Sequence, residues 1–192
     1  MSLDDSPHPA SDNCQNSRTS NSGEKELPGE EIEEDEEDLL RYCRREENAM
    51  LQALLEKRTV DININYVEEG RNTALNISAQ LGNLSAVEML LHREDIDVNV
   101  AGQDGITALS EACLYGHVEI VKLLLGCPEV DINLVDCFDG TALQSAILSG
   151  HTEIIKMILD RPDLQIDKES FPAYLPALPH TFLLPLVKHL IR

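Results

Sequence analysis

The side chains that could do chemistry in this sequence are histidines, cysteines and carboxylates, and their spacing does not assemble a reactive site. His117 and His151 each stand apart from other metal ligands, whereas a zinc or catalytic centre needs a cluster of such groups. The string Asp-Ile-Asp-Val-Asn at 95–99 resembles a calcium loop but lacks its Gly and its terminal Glu. Phosphate loops, nucleophile elbows and kinase motifs are absent from the sequence. We therefore expect no catalytic residue, no metal and no cofactor, and a protein that is not an enzyme.

The cysteines indicate a reducing compartment. Their number is odd, no CxxC pair occurs, and they are Cys14, Cys43, Cys113, Cys127 and Cys137. This pattern argues against a disulfide framework and against a zinc knuckle. We expect Cys113 to be a small core residue and Cys137 to be an exposed, unactivated thiol. No signal peptide opens the sequence, and no apolar run approaches the roughly 20 residues of a membrane span, so a cytoplasmic or nuclear location is expected.

Charge narrows the class of partner. The formal net charge is −20, of which −11 falls in residues 1–38 and −9 in residues 39–192. An acidic surface repels phosphate backbones and anionic lipid, so we expect no nucleic-acid partner and no membrane partner. A protein with a basic surface is the better electrostatic match.

A period of 34 residues organises the chain from residue 73 onwards. Several position types keep this period: Thr-Ala-Leu beginning at Thr73, Thr107 and Thr141, glycine at Gly82, Gly116 and Gly150, and apolar pairs at 90–91, 124–125 and 158–159. Residues 38–63 match the next unit with an offset of 36 and form a degenerate first unit. Independent position types that share one period are the signature of stacked repeats.

Each unit predicts two short helices joined by a tight turn. The Thr is placed as an N-cap, and Thr141 with Gln144 forms a capping-box pattern. About eight helical residues lead to a Gly that can close the helix in the left-handed conformation. A second helix carries apolar residues at helical spacing, and an extended Asp/Asn segment then leads into a hairpin-like turn.

These motifs resemble ankyrin repeats over residues 39–167. The resemblance is carried by Asp-Gly-Ile-Thr-Ala-Leu at 104–109, Gly-His-Val-Glu-Ile-Val-Lys-Leu-Leu-Leu at 116–125 and Val-Asp-Ile-Asn at 130–133. It implies an all-α ankyrin-repeat solenoid of stacked helix-turn-helix pairs with short β-hairpin fingers, in which His117 and His151 bond to loop backbone. The sequence departs from the family where Ala replaces the usual Pro after Thr, and where the usual His is replaced by Asn76, Ser110 and Gln144.

The resulting division of the chain has six parts. They are a disordered acidic tail at 1–37, a degenerate N-capping repeat at 38–66, repeats at 67–100, 101–134 and 135–167, and an irregular C-cap or truncated repeat at 168–192. The tail has too few apolar groups to offset its ordering entropy. Pro172, Pro176 and Pro179 would break a regular first helix in the last part.

The resemblance also implies where a partner would be contacted. In the family the variable positions lie on the fingers and at the ends of the first helices. Here the partner-binding candidates are Glu69, Asn72, Gln80, Leu81, Gln103, Asp104, Ile106, Leu114, Tyr115, Phe138 and Leu148, with Gly70, Cys137, Gly140 and Ser149 at the remaining positions. We expect an apolar and aromatic stripe rimmed by acid, although Leu114 and Leu148 could instead pack between repeats.

Three functions fit this architecture. The leading one is a non-catalytic adaptor, scaffold or inhibitor that binds a protein partner as a monomer. The alternatives are a regulatory or targeting fragment of a larger enzyme or channel, and a structural spacer. Fold alone does not name the partner.

Overall fold

The computed structural model describes residues 31–57, 59–63, 72–166 and 180–182. Within them the chain forms α-helices without β-strands, in agreement with the predicted fold class. The helices are α1 (Glu31–Arg45), α2 (Asn48–Leu55), α3 (Ala74–Leu81), α4 (Leu84–Leu91), α5 (Ala108–Tyr115), α6 (Val118–Gly126), α7 (Ala142–Ser149) and α8 (Thr152–Leu159). None of these described helices is long and apolar enough to cross a membrane.

The helices stack as two layers. The first helices of the units pack in the order α1, α3, α5, α7, and the second helices pack in the order α2, α4, α6, α8. Small side chains lie at the contacts of the first layer, where Ala79, Ala112 and Ala146 are fully buried. Larger apolar side chains such as Leu90 and Leu124 fill the space between the layers. One core therefore runs through all four units.

Threonine begins each of the three regular units as predicted. The hydroxyl oxygens accept hydrogen bonds from backbone N–H groups three residues later: Asn76 to Thr73 at 3.1 Å, Ser110 to Thr107 at 3.3 Å and Gln144 to Thr141 at 3.4 Å. The backbone N–H of Thr141 also donates to Oε1 of Gln144, which completes the capping box. Each cap satisfies a donor that the first helical turn leaves free.

The helix-closing glycines also make room for the next unit. Gly82 and Gly116 have φ angles of +78° and +79°. Nε2 of His117 donates to the carbonyl of Gln80 at 3.0 Å, and Nε2 of His151 donates to the carbonyl of Leu114 at 3.2 Å. A Cβ on Gly116 would lie 2.5 Å from Cε1 of His151. The histidines thus bond to the helix end of the preceding unit, rather than to loop backbone as the resemblance implied.

An asparagine ladder connects the linkers of successive units. Nδ2 of Asn99 donates to the carbonyl of Glu129 at 2.7 Å, and Oδ1 of Asn99 accepts from the N–H of Asp131 at 2.9 Å. Asn63 and Asn133 make the same pair of bonds one unit earlier and one unit later. A carboxylate two residues before each asparagine accepts its backbone N–H, as Asp97 does for Asn99 at 3.0 Å. These bonds account for the calcium-loop-like string.

Arginine ties the second helices together at two of three junctions. Nη1 of Arg93 donates to the carbonyl of Leu55 at 3.0 Å, and Nη1 of Arg161 donates to the carbonyl of Leu125 at 2.6 Å. Each guanidinium is held by a two-bond contact with a carboxylate two residues later. Cys127 occupies the equivalent position of the middle unit.

The predicted boundary between the acidic tail and the first unit needs correction. Helix α1 begins at Glu31, inside the stretch predicted to be tail up to residue 37. Carboxylates near a helix N-terminus are stabilised by the macrodipole, and Oδ1 of Asp35 accepts from Nζ of Lys57 at 2.7 Å. Cys137 is exposed as predicted.

Three cysteines of the described residues agree with the expectation of free thiols. Cys43, Cys113 and Cys127 are free. Burial raises the pKa of Cys43 to about 11 and also raises the pKa of Cys113. Both therefore stay protonated at neutral pH and act as small core side chains.

The remaining parts of the division lie largely outside the described residues. These include residues 1–30 of the predicted tail and most of the predicted C-cap. Of the latter, the structure describes a short 3-10 turn at His180–Phe182, where Phe182 packs against the core.

We predict that Gly116→Ala destabilises the fold more than Gly150→Ala. Both glycines have positive φ angles, so each alanine costs roughly 1–2 kcal/mol in backbone strain. Of these two, Gly116 has a histidine against its α-carbon, whereas nothing in the described part of the chain lies within 4 Å of a Cβ at Gly150. Urea unfolding should therefore show an additional loss of about 1 kcal/mol for Gly116→Ala, from the displaced hydrogen bond. If His151→Ala in the same chain leaves that extra loss intact, the steric explanation is wrong.

The asparagine ladder gives a second prediction. Asn99→Ala removes two hydrogen bonds between units and should lower the free energy of unfolding by roughly 1–2 kcal/mol. Gln52→Ala, which shortens an exposed amide on α2, is the matched control and should change it by less than about 0.5 kcal/mol. Equal unfolding midpoints for the two variants would show that the ladder does not stabilise the array.

Candidate functional site

Two fingers described by the structure project from the array and close in the same way. The N–H of Gly102 donates to the carbonyl of Ile106 at 2.8 Å, and the N–H of Asp136 donates to the carbonyl of Gly140 at 2.9 Å. We call residues 102–106 and 136–140 the fingers. Their tips differ, because the first has positive φ angles at residues 104 and 105 and the second has one only at residue 139. Glycine stands two residues before Thr107 in the first finger and directly before Thr141 in the second, and this shift accompanies the different turn.

The fingers are tied to each other. The N–H of Cys137 donates to the carbonyl of Asp104 at 2.8 Å. The N–H of Gln103 donates to Oδ1 of Asn72 at 3.1 Å, which links the first finger to the preceding unit. Because these bonds cross between units, the finger tips form one continuous edge.

Phe138 is held outward by a carboxylate. Oδ1 of Asp136 accepts from the N–H of Phe138 and from the N–H of Gly140, both at 2.8 Å. This turn leaves the Phe138 side chain 75% exposed. Val135, at the base of the same finger, pairs with Thr141 as an isolated antiparallel bridge and is 55% exposed. Exposed aromatic side chains are frequent anchors of protein interfaces.

A second apolar zone lies at the ends of the first helices. Equivalent positions of successive units place Leu81 beside Tyr115, and Leu114 beside Leu148. We call these four side chains the apolar row, and each of them is exposed. The Tyr115 ring stacks on His117 with 6.3 Å between ring centroids and 17° between planes. The histidine that joins two units thus also supports the aromatic ring of the row.

The apolar row ends at the first unit. The positions there that match Gln80 and Leu81, at the offset of 36, are Arg44 and Arg45, and both are exposed. Arg45 lies 4.0 Å from Glu47. The row therefore spans the three regular units, and arginine side chains take its place at the end next to the first unit.

The remaining charge of this side is acidic. Residues 72–82, 101–116 and 135–150 contain no Lys or Arg, whereas they contain Asp104, Glu111, Asp136 and Asp139. Arg71 lies outside the described residues, and Glu68 and Glu69 precede it in the sequence. The side that carries the fingers and the apolar row thus attracts cations.

Glu111 is the buried carboxylate of this side. It lies on α5 and is 5% exposed. Burial raises its pKa, and a hydrogen bond with Gln80 partly opposes that rise. Water therefore screens the charge of Glu111 less than it screens the carboxylates on the fingers.

The structure places the predicted partner-binding residues in two zones. The fingers and their junction hold Asn72, Gln103, Asp104, Ile106 and Phe138, and the helix ends hold Gln80, Leu81, Leu114, Tyr115 and Leu148. Asn72, Gln80 and Ile106 are half-buried and the others are exposed. Glu69 and Gly70 lie outside the described residues. That these residues contact a partner stays a prediction.

Sequence reasoning missed Val135. Its exposure follows from its place at the base of a finger, opposite Thr141, and that pairing was not apparent from the repeat alignment. No group of three or more His, Cys, Asp or Glu side chains in the described part of the chain is placed to hold a metal ion.

Comparison with known families identifies the repeat. A sequence model of ankyrin repeats in three copies matches residues 95–170, and a model of a single ankyrin repeat matches residues 70–103. Together they span 101 of the 192 residues. A search of curated proteins found no match to the chain. Ankyrin repeats are in general non-catalytic modules of protein–protein interaction.

The buried carboxylate gives a prediction with a defined pH dependence. Because burial raises the pKa of Glu111 in the folded state, ionisation disfavours folding as the pH rises from the unfolded pKa through the folded one. Glu111→Gln should therefore be more stable than the parent at pH 7, and the difference should vanish at pH values low enough to protonate both states. Urea unfolding across this pH range tests it; a parent chain that is the more stable at pH 7 would contradict it.

Proposed function

We propose that this chain, which belongs to the ankyrin repeat family, is a non-catalytic module that binds a protein partner. The contact surface is the side that carries the fingers and the apolar row. The partner meets this surface with apolar side chains and with basic groups around them. The exposed apolar and acidic side chains of this side suit recognition of a protein. Among the described residues they form no reactive cluster.

One observation carries the proposal. Seven large apolar side chains are exposed among the described residues, and six of them lie on this one side. The six are Leu81, Leu114, Tyr115, Val135, Phe138 and Leu148, and the seventh is Met50 on α2. Scattered apolar exposures need no explanation, but a concentration of them on one surface marks an interaction site.

The charge of this side favours a basic protein over other partners. A phosphate backbone or an anionic membrane would need Lys or Arg to neutralise it, and the three segments that form this side have none. A protein surface with Lys or Arg would instead be attracted, which speeds encounter and disfavours acidic partners.

The proposal includes a monomer in the cytoplasm or nucleus. A monomer keeps the finger side free for the partner. The free thiols of Cys43, Cys113 and Cys127 support a reducing compartment. Fractionation of cells that express the chain tests this location.

Truncating two exposed rings tests the function. Tyr115→Ala and Phe138→Ala should each leave the free energy of unfolding within about 1 kcal/mol of the parent, because both rings are exposed. Both should lose the proteins that the parent captures in crosslinking followed by mass spectrometry. Met50→Ala, which removes the exposed apolar side chain of α2, should retain them.

The outcomes separate three explanations. Loss of folding in the variants would assign the rings to packing. Unchanged capture by both variants would remove the rings from the interface. Failure of the parent chain to capture any protein saturably would favour the structural spacer.

A further inference from the structure

We infer that the partner presents an amphipathic α-helix whose apolar stripe lies along the apolar row and whose basic flank faces the fingers. This inference rests on the proposed function and adds the form and polarity of the bound segment. Three features of the surface carry it: the length of the row, the occupied backbone groups beside it and the charges on its two borders.

The length of the row suits a short helix. The row repeats once per unit over three units, so its ends are separated by two spacings between packed helices. Packed helices lie about 8–10 Å apart, which makes the row roughly 16–20 Å long. A helix rises about 1.5 Å per residue, so about 11–13 helical residues cover it with one continuous apolar stripe.

The backbone beside the row is already hydrogen-bonded. The carbonyls of Gln80 and Leu114, at the ends of α3 and α5, accept from His117 and His151. An extended segment needs backbone partners on the surface that it covers, because its own N–H and C=O groups are otherwise left unsatisfied. A helix satisfies its backbone internally and needs only side-chain contacts. An apolar row whose neighbouring carbonyls are occupied therefore favours a helical ligand.

The borders of the row set the polarity of that helix. The first helices run from the fingers to the row, and at eight residues each they are about 12 Å long. A bound helix about 10 Å wide on the row therefore brings Lys or Arg on its finger-side flank close to Asp104 and Asp139. At the first-unit end of the row, exposed Arg45 takes the place of an apolar side chain, so the apolar stripe ends there. The cations of the ligand are thus expected on one flank, not distributed around the helix.

Selection from a random peptide library tests this inference on the full-length chain. Displayed 16-residue peptides would be selected for binding, sequenced and measured individually. We expect enriched peptides to carry apolar residues at i, i+3 or i+4, and i+7, with a net positive charge. Circular dichroism of such a peptide should gain helical signal on binding. Its affinity should fall at least tenfold for Leu148→Glu and change less than twofold for Met50→Glu, since both positions are exposed in the parent.

The contrary results are specific. Apolar residues that alternate at i and i+2, or net negative peptides, would overturn the helical and basic ligand while leaving protein binding intact. If the enriched peptides were basic without an apolar stripe and bound Leu148→Glu as tightly as the parent, charge attraction alone would explain the binding and the inference would be wrong. Binding of phosphatidylserine vesicles by the chain would point to a membrane and overturn the inference. If no selected peptide bound the parent more tightly than Leu148→Glu, both the inference and the proposed function would be contradicted.

Discussion

The apolar faces of the eight-residue helices become buried only when neighbouring units stack. A helix of that length is marginal alone in water, and a single unit has no partner for the outer side of its first helix. Fully buried alanines such as Ala112 let the first helices approach closely, and leucines between the layers complete the core. Stability is therefore shared between neighbours, as in other repeat arrays, and each finger and helix end keeps its position only while the units beside it remain folded.

Polar contacts fix the register of this stack and also shape the recognition side. His117 is the clearest case. It donates to the end of the preceding helix, occupies the space that a side chain on Gly82 would need, and supports the ring of Tyr115. The asparagine ladder and the arginine ties do comparable work along the linkers and the second helices. The side chains of the fingers and of the apolar row can therefore be exposed while the backbone that carries them stays ordered, because the hydrogen bonds that hold this backbone lie beneath the exposed surface.

Local signals in the sequence were enough to predict the helices, their threonine caps and the closing glycines, because each depends on residues within one turn. Contacts between residues more than 30 positions apart were not predictable in the same way. The hydrogen bond from the N–H of Asp131 to Asn99 forms only when two units pack in register, and so does the bond from Arg93 to the carbonyl of Leu55. The acidic run was assigned to the tail, which placed the tail boundary too late, although seven acidic residues among the first eight of α1 favour a helix N-terminus. Of the candidate site, equivalent positions gave the row, while the exposure of Val135 depended on the shape of one finger.

Closure of each finger by its own hydrogen bond has a consequence for chain length. The bond from Gly102 to Ile106 isolates the tip, so residues inserted there need not displace Thr107 or the helix that it begins. The entropy of closing a loop grows slowly, by about 0.6 kcal/mol for each doubling. The first interval of this array is already 36 residues rather than 34, with the excess between Asn63 and Thr73. Foreign loops grafted at the tips should therefore be tolerated where insertions into the helices would not.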